Sequence, residues 1–243
     1  MIKDIDVLIL CGGAGKRLGK ISRNKPKPMM EVGGRPFLDF ILDYMAGFGF
    51  RRFILGTGYK ADFIKKHYLH NQKPGLNILF SQEKTPLDTG GAVKNAASKI
   101  NSKYFFVLNG DSFCEFNPLD FVNFHKKKMA IASILLRKVS DGSEYGEIML
   151  DGSSRIKGFN EKSSKAGRCL INAGVYIFDR QIFNLMPRSK KFSLERDFFS
   201  TITGGRFFGY SKPGFFIDIG TPARYRKANK YFVKEQKRMR LRF

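Results

Sequence analysis

The chain has 243 residues, of which 44 are lysine or arginine and 21 are aspartate or glutamate, so its formal net charge is +23 with histidine neutral. A hydrophobic fraction of 42 %, with 25 phenylalanines, is enough for a sizeable buried core and excludes a disordered or collagen-like chain. The excess of positive charge predicts an anionic substrate or partner.

The cysteines and the apolar segments exclude several further classes of protein. Cys11, Cys114 and Cys169 are too widely spaced for a disulfide framework or a paired-thiolate zinc site. No stretch approaches the roughly 18 apolar residues of a membrane span, and the apolar run near the N-terminus is too short for a signal sequence. We therefore expect a cytoplasmic protein that does not insert into a membrane.

The first half of the chain alternates apolar runs with stretches of helical spacing. Continuous apolar runs predict strands at 5–10, 53–55, 76–80 and 104–108. Apolar residues three and four apart predict helices at 36–48, 61–69 and 90–100. This alternation indicates an α/β fold with a Rossmann-like, mostly parallel sheet flanked by helices.

The second half of the chain has a different pattern of apolar and turn-forming residues. Turn signals at 141–142 and 151–152 separate short alternating runs, which predicts a smaller antiparallel lobe inserted after Asp111. From Pro222 to about residue 240, apolar residues on one stripe predict a basic amphipathic helix. No segment is long enough to separate two independent domains, so we expect a single domain with two lobes.

A glycine-rich segment, CGGAGKRLGK, directly follows the first predicted strand. Glycines at 12, 13 and 15 let backbone N–H groups approach a phosphate, and Lys16 and Arg17 add positive charge. The segment is not a P-loop, because Arg17 stands where serine or threonine is required, and Leu18 breaks the dinucleotide fingerprint. A tight structural turn remains the alternative.

A lysine between two prolines follows this segment. Pro26 and Pro28 predict an extended backbone that presents Lys27 at low entropic cost. The order GGAGKRL, PKPM and then residues 33–37 entering a helix resembles the signature of the sugar-1-phosphate nucleotidylyltransferases. The resemblance implies the fold of nucleotide-diphospho-sugar transferases, with a nucleotide-binding part at about 1–115 and a sugar-binding lobe at about 140–220.

Further motifs extend the resemblance over nearly the whole chain. They are Gln82, TGGA at 89–92, NGD at 109–111, EK at 161–162, INAG at 171–174 and FIDIGTP at 216–222. The chain departs from the family where Lys16 replaces a threonine and where Cys11 replaces a common alanine. The lysine could strengthen a triphosphate contact or alter metal handling.

The resemblance implies transfer of a nucleoside monophosphate to a sugar 1-phosphate, with Mg²⁺ held by Asp111 and Asp218. Positioning and electrostatics dominate such chemistry, so no nucleophile triad is expected. The implied catalytic residues are Arg17, Lys27, Asp111, Lys162 and Asp218. The implied nucleotide-binding residues are Leu10, Gly12, Gly13, Gly15, Lys16, Gln82, Thr89, Gly90 and Asn109. The implied sugar-binding residues are Tyr145, Gly146, Glu161, Asn172, Gly174 and Glu195.

Two of these positions carry specific expectations. Gln82 would read the nucleobase, and Thr89 with the glycines after it would offer free N–H groups at the start of a helix. His67, His70 and His125 are expected on solvated helix surfaces, without a role as metal ligands.

Other functions remain open at this stage. The charge alone would also suit a nucleic-acid-binding or membrane-surface protein, and a non-catalytic regulator could keep the sugar-nucleotide pocket. Within the family, FSLERDFF and FIDIGTPARYRKAN are most similar to heptose-1-phosphate guanylyltransferases. The expected substrates are GTP and D-glycero-D-manno-heptose 1-phosphate, for surface polysaccharide synthesis by a monomer or homodimer. Mannose-1-phosphate guanylyltransferase and uridylyl- or cytidylyltransferases are the alternatives.

Overall fold

The computed structural model describes residues 2–15, 17–19, 24–140, 146–160 and 169–240. Its first half contains the elements β1 (Asp6–Leu10), β2 (Glu31–Val32), β3 (Arg35–Pro36), α1 (Phe37–Gly47), β4 (Arg52–Thr57), α2 (Ala61–His70), β5 (Asn77–Gln82), α3 (Asp88–Asn95) and β6 (Tyr104–Asn109). Strand β1 pairs in parallel with both β4 and β6, and β4 pairs in parallel with β5. The predicted parallel α/β arrangement is confirmed, although α3 ends earlier than expected and a 3₁₀ turn, Ala97–Lys99, follows it.

The second half continues the same sheet. Its elements are β7 (Ser112–Cys114), α4 (Pro118–Lys127), β8 (Ala132–Val139), β9 (Glu147–Leu150), β10 (Ile156–Asn160), β11 (Cys169–Asp179), α5 (Phe199–Ile202), β12 (Phe207–Ser211), β13 (Phe216–Asp218) and α6 (Pro222–Arg240). Strand β11 pairs antiparallel with β6, β8 and β9. The antiparallel strands therefore join the central sheet through β11, and the sheet reaches nine strands.

The order of the strands fixes where a ligand can bind. The chain runs from β1 to β4 on one side and reaches β6 on the other side, so the strand order reverses beside β1. Leu10 at the end of β1 lies opposite Asn109 at the end of β6. Open α/β sheets bind ligands at such a reversal, outside the carboxyl ends of the strands.

The core lies on both faces of this sheet. Along β1, Val7 and Ile9 pack on one face while Leu8 packs on the other, as expected of a strand that is buried on both sides. Helix α6 covers one face, where the Phe232 ring contacts those of Phe37 and Phe113 at centroid distances of 5.9 and 5.3 Å. Among the described helices, none is both long enough and apolar enough to span a bilayer.

Two local expectations are wrong. Lys27 is not in extended backbone, because the Met29 N–H donates to the Pro26 carbonyl at 2.8 Å and closes a 3₁₀ turn over Lys27–Met29. His125 is buried instead of solvated, and it shares a 2.8 Å hydrogen bond with the Ser133 hydroxyl. Burial lowers the pKa of His125 to about 3, so the ring is neutral in the folded protein.

Two helical glycines test how tightly the elements pack. A side chain at Gly91 in α3 would lie 2.3 Å from the Lys190 carbonyl oxygen, whereas one at Gly47, the last residue of α1, would meet nothing within 4 Å. Because backbone cannot move aside cheaply, Gly91→Ala should lower the free energy of unfolding by about 2 kcal/mol. Gly47→Ala should leave it within ~0.5 kcal/mol or raise it slightly. Urea unfolding measures both, and equal effects would contradict the packing.

Candidate active site

A cleft of about 700 Å³ opens at the carboxyl ends of β1 and β6. The predicted residues that line it are Leu10, Gly12, Gly13, Thr89, Asn109 and Asp111. They come from the ends of two neighbouring parallel strands and from the start of α3. The topology thus gathers into one cavity residues that the sequence places in three separate motifs.

The glycine-rich loop forms one wall of this cleft. The Cys11 N–H donates to the Gly56 carbonyl at 2.7 Å, and the Tyr59 N–H donates to the Gly12 carbonyl at 3.1 Å, so the loop is held against the end of β4. Gly13 has open space where a side chain would stand. Gly15 has a φ of +63°, which glycine adopts without strain. Lys16 lies outside the described residues.

Asp111 and Asp218 are brought together by a short antiparallel ribbon. Strand β7 pairs with β13 so that Ser112 lies opposite Asp218, and the Ile219 N–H donates to the Asp111 carbonyl at 3.0 Å. Asp111 follows β6 directly, as expected of a carboxylate at this edge of the sheet. The two acids predicted as metal ligands are therefore neighbours in space.

Each of these carboxylates is paired with a cation of the protein. Lys27, which is 7 % exposed, forms an ion pair with Asp111. Arg224 in the first turn of α6 donates to both oxygens of Asp218, at 2.9 and 3.2 Å. Arg17 also reaches this cluster, since a methyl group at Gly220 would lie 3.8 Å from its Nη2 and 3.7 Å from Lys27 Nζ. Sequence reasoning did not identify Arg224. The one signal in the sequence was its position at the start of a predicted basic helix.

The donor set of the ribbon fits a divalent cation. Carboxylate oxygens are the ligands that Mg²⁺ takes from proteins, usually one or two of them together with phosphate oxygens and waters. In the described parts of the chain, no cluster of three or more His, Cys, Asp or Glu side chains could hold a metal by itself. Lys27 and Arg224 already balance the charges of the two carboxylates, so a bound phosphate would supply the further negative charge and oxygen ligands that the cation needs.

Glu83, which sequence reasoning missed, lies where Gln82 was expected. The Gln82 side chain is exposed and accepts a hydrogen bond from Lys65 of α2 at 2.7 Å, so it does not line the cleft. The next residue, Glu83, does line it, and its Oε2 accepts the Leu87 N–H at 3.0 Å. Its Oε1 would lie 2.5 Å from a side chain at Gly12, so Gly12 makes room for this carboxylate. Burial raises the pKa of Glu83, although the Leu87 N–H opposes the shift.

The start of α3 differs from the expectation of free N–H groups. The N–H groups of Gly90 and Gly91 both donate to the Phe192 carbonyl, at 2.9 and 3.0 Å. A side chain at Gly90 would also lie 2.2 Å from the Phe192 ring. Gly90 is therefore required by packing, and its N–H does not point to a ligand. Thr89 lines the cleft and accepts the Leu194 N–H at 2.8 Å.

Glu195 is held by its neighbours on both oxygens. Thr89 donates to Oε2 at 2.8 Å and Ser193 donates to the same oxygen at 3.0 Å, while Tyr176 donates to Oε1 at 2.8 Å. Asn172 in turn donates to the Tyr176 hydroxyl at 2.9 Å. This chain of hydrogen bonds connects two residues predicted for the sugar to a residue predicted for the nucleotide.

The remaining sugar-side residues are described in part. Gly174 has a φ of +71°, and a side chain there would lie 2.7 Å from Asn109 Nδ2, so the INAG motif contacts the NGD motif directly. The Gly174 N–H donates to Asn172 Oδ1 at 2.8 Å. Gly146 is exposed just before β9. Tyr145, Glu161 and Lys162 lie outside the described residues.

Comparison with known proteins agrees with this geometry. The chain is 36 % identical over 93 % of its length to D-glycero-alpha-D-manno-heptose 1-phosphate guanylyltransferase of Aneurinibacillus thermoaerophilus, of which it covers 97 %. It is 32 % identical to mannose-1-phosphate guanylyltransferase of Mycobacterium tuberculosis over 90 % of this chain, but it spans only 62 % of that relative. The crystal structure of HddC from Yersinia pseudotuberculosis complexed with GMP-PN is similar, with 36 % identity and a TM-score of 0.85 over 94 % of this chain and 99 % of that one.

The model of the family described as nucleotidyl transferase matches residues 6–235, which include every element from β1 to β13 and most of α6. The chain therefore belongs to the nucleotidyl transferase family.

Proposed function

We propose that this chain transfers a guanylyl group from GTP to D-glycero-D-manno-heptose 1-phosphate and releases pyrophosphate. The observation that carries the proposal is a single cleft that joins a carboxylate acceptor, Glu83, to the charged cluster at Asp111. The choice of the heptose is supported by the 36 % identity to the heptose 1-phosphate guanylyltransferase of Aneurinibacillus thermoaerophilus, of which this chain covers 97 %.

The reaction needs charge neutralisation more than proton transfer. An oxygen of the sugar phosphate attacks the α-phosphorus of GTP, a new P–O bond forms, and the bond to the β-phosphate breaks with its electrons leaving on pyrophosphate. The second pKa of a phosphomonoester is about 6, so the attacking oxygen is already ionised near neutral pH. Lys27 and Arg17 supply fixed positive charge next to Asp111 and Asp218, where the phosphates would lie.

We assign Asp111 and Asp218 as the residues that would hold Mg²⁺. The bound ion supplies positive charge that polarises the phosphate oxygens and stabilises the leaving pyrophosphate. The chain itself orients the two carboxylates through Lys27 and Arg224.

Glu83 supports guanine as the base. An ionised carboxylate only accepts hydrogen bonds, and guanine is the common base whose pairing edge offers two adjacent donors, N1–H and the 2-amino group. Adenine and cytosine present a ring acceptor at the corresponding position, which would face the carboxylate and be repelled. Glu83 lines the same cleft as Gly12 and Gly13, so a base lying against the glycine loop would reach this carboxylate.

Asn109 and the INAG motif support a ribose and sugar side of the cleft. The buried Oδ1 of Asn109 has no hydrogen-bond donor within the described residues, and such an acceptor costs about 1–3 kcal/mol unless a ligand supplies one. A ribose or sugar hydroxyl is a suitable donor. Gly146, Asn172 and Gly174 extend this side, and by resemblance Tyr145, Glu161 and Lys162 complete it.

The function is tested by pyrophosphate release with Mg²⁺, with the four common nucleoside triphosphates crossed against heptose, mannose, glucose and N-acetylglucosamine 1-phosphates. GTP with the heptose phosphate should give the highest kcat/KM. Highest activity with mannose 1-phosphate would instead favour mannose-1-phosphate guanylyltransferase, the activity of the Mycobacterium tuberculosis relative. Activity with none of the pairs would contradict the proposal.

Replacing the guanine-reading carboxylate tests the choice of base. Glu83→Gln should lower kcat/KM for GTP by about 10–100-fold, because a hydrogen bond to a charged group contributes about 1.5–3 kcal/mol. The residual activity with ATP should change much less, so the preference for GTP should shrink. Gln82→Ala is the matched control, because that side chain contacts Lys65 outside the cleft, and it should retain wild-type kinetics. Equal losses with GTP and ATP would assign Glu83 a structural role instead.

The paired carboxylates are tested by removing one charge at a time. Asp111→Asn and Asp218→Asn should each lower kcat by at least ~100-fold, as expected for loss of an electrostatic group at the reacting phosphates. Asp62→Asn on the exposed face of α2 should have no effect. Circular dichroism establishes that the variants fold. Near-normal turnover by either site variant would remove that aspartate from the assignment.

A further inference from the structure

Both carboxylates of the proposed magnesium site already hold a cation of the protein. On Asp218, the Oδ1 atom accepts the Gly220 N–H at 2.7 Å and Arg224 Nη1 at 3.2 Å, and Oδ2 accepts the same guanidinium nitrogen at 2.9 Å. The side chains of Arg224 and Asp218 are 19 % and 10 % exposed, so solvent screens this pair only in part.

Arg224 stands in an unfavourable place for its charge. It lies in the first turn of α6, which contains no acidic residue, and the N-terminus of a helix carries partial positive charge. An arginine there is repelled by the helix unless an anion offsets the repulsion. Asp218 is that anion, and its carboxylate offsets the repulsion between Arg224 and the helix N-terminus.

We propose that Arg224 is a resident counter-ion that competes with the divalent cation for Asp218 and thereby sets the metal affinity of the site. The inference rests on the proposed magnesium site. A guanidinium within 3 Å of Asp218 would lie beside a cation on the same carboxylate, and the two like charges repel strongly in a partly buried setting. Binding of the metal must therefore weaken the Arg224 contact, and by linkage the Arg224 contact weakens binding of the metal.

Lys27 holds Asp111 in a similar way, but it belongs to the catalytic set, so its removal would not isolate the effect. Arg224 is outside that set and acts on the reaction only through Asp218. It is a positioning residue for the metal ligand. It orients the carboxylate before the cation binds, at the expense of affinity for that cation.

The test measures Mn²⁺ binding in the absence of substrates, by the electron paramagnetic resonance signal of free Mn²⁺. Arg224→Gln should bind Mn²⁺ roughly tenfold more tightly than wild type, within the ~5–150-fold range of coupled binding events. Arg226→Gln removes the same charge from an exposed position of α6 and should leave the affinity unchanged. The double variant Arg224→Gln with Asp218→Asn should lose the gain, which would place the tighter binding at Asp218.

The outcomes separate this inference from the site on which it rests. Unchanged or weaker Mn²⁺ binding by Arg224→Gln, with wild-type binding that Asp218→Asn abolishes, would overturn the competition and leave the metal site standing. No Mn²⁺ binding by wild type or by any variant would overturn the inference, and the turnover of Asp111→Asn and Asp218→Asn would then decide whether the metal site stands. If Arg224→Gln fails to fold, Arg224→Lys is the second variant. It retains the positive charge but binds the carboxylate less tightly. Its affinity for Mn²⁺ should therefore lie between those expected for wild type and the glutamine variant. An affinity of Arg224→Lys equal to wild type would then overturn the inference.

Discussion

The pairing of β7 with β13 is the interaction on which the site depends. Each strand has only three residues, and a ribbon of that size is not stable by itself. Its stability comes from aromatic packing: the Phe113 ring of β7 lies 5.3 Å from both the Tyr44 ring of α1 and the Phe232 ring of α6. The core thus holds the ribbon, and the ribbon holds Asp218 beside Asp111. A change in the packing under α6 would therefore move Asp218, the proposed metal ligand, without a change at Asp218 itself.

Two cations of the protein offset the repulsion between the neighbouring carboxylates of Asp111 and Asp218. Two carboxylates this close would repel each other, but Lys27 and Arg224 each neutralise one of them. The site therefore carries alternating charges before any substrate binds, with positive groups already fixed beside the carboxylates. The net charge of +23 acts at longer range, where it raises the local concentration of polyanionic nucleotides without distinguishing one from another. Selection of the base must depend on short-range contacts, such as the one proposed for Glu83.

Local sequence patterns predicted what depends on local physics. The apolar runs placed β1, β4, β5 and β6 within a few residues, because strands buried on both faces must be continuously apolar. Position after such a strand sufficed to suggest Asp111, whereas Asp218 came from resemblance, since its partner lies far away in the chain. Gln82 was predicted to read the base, but its side chain contacts Lys65 and does not line the cleft, whereas Glu83 does, because neighbouring side chains in or beside a strand point to opposite faces. Gly90 and His125 were misjudged because tertiary contacts with Phe192 and Ser133 decide their environments.

A hydrogen-bond chain runs from Thr89 through Glu195 and Tyr176 to Asn172, and it links a residue that the resemblance implies for the nucleotide to two that it implies for the sugar. Its members belong to α3, the segment before α5 and β11, and Tyr176 is fully buried. Burial raises the pKa of the Tyr176 hydroxyl far above its usual range, so this group remains a donor at any relevant pH and keeps the direction of the chain fixed. Glu195 then has both oxygens engaged, and a sugar hydroxyl that approached it would have to share an acceptor with Tyr176 at Oε1, or with Thr89 and Ser193 at Oε2. If Glu195 contacts the sugar, as the resemblance implies, that contact is linked to the position of Thr89 at the start of α3 through a single carboxylate.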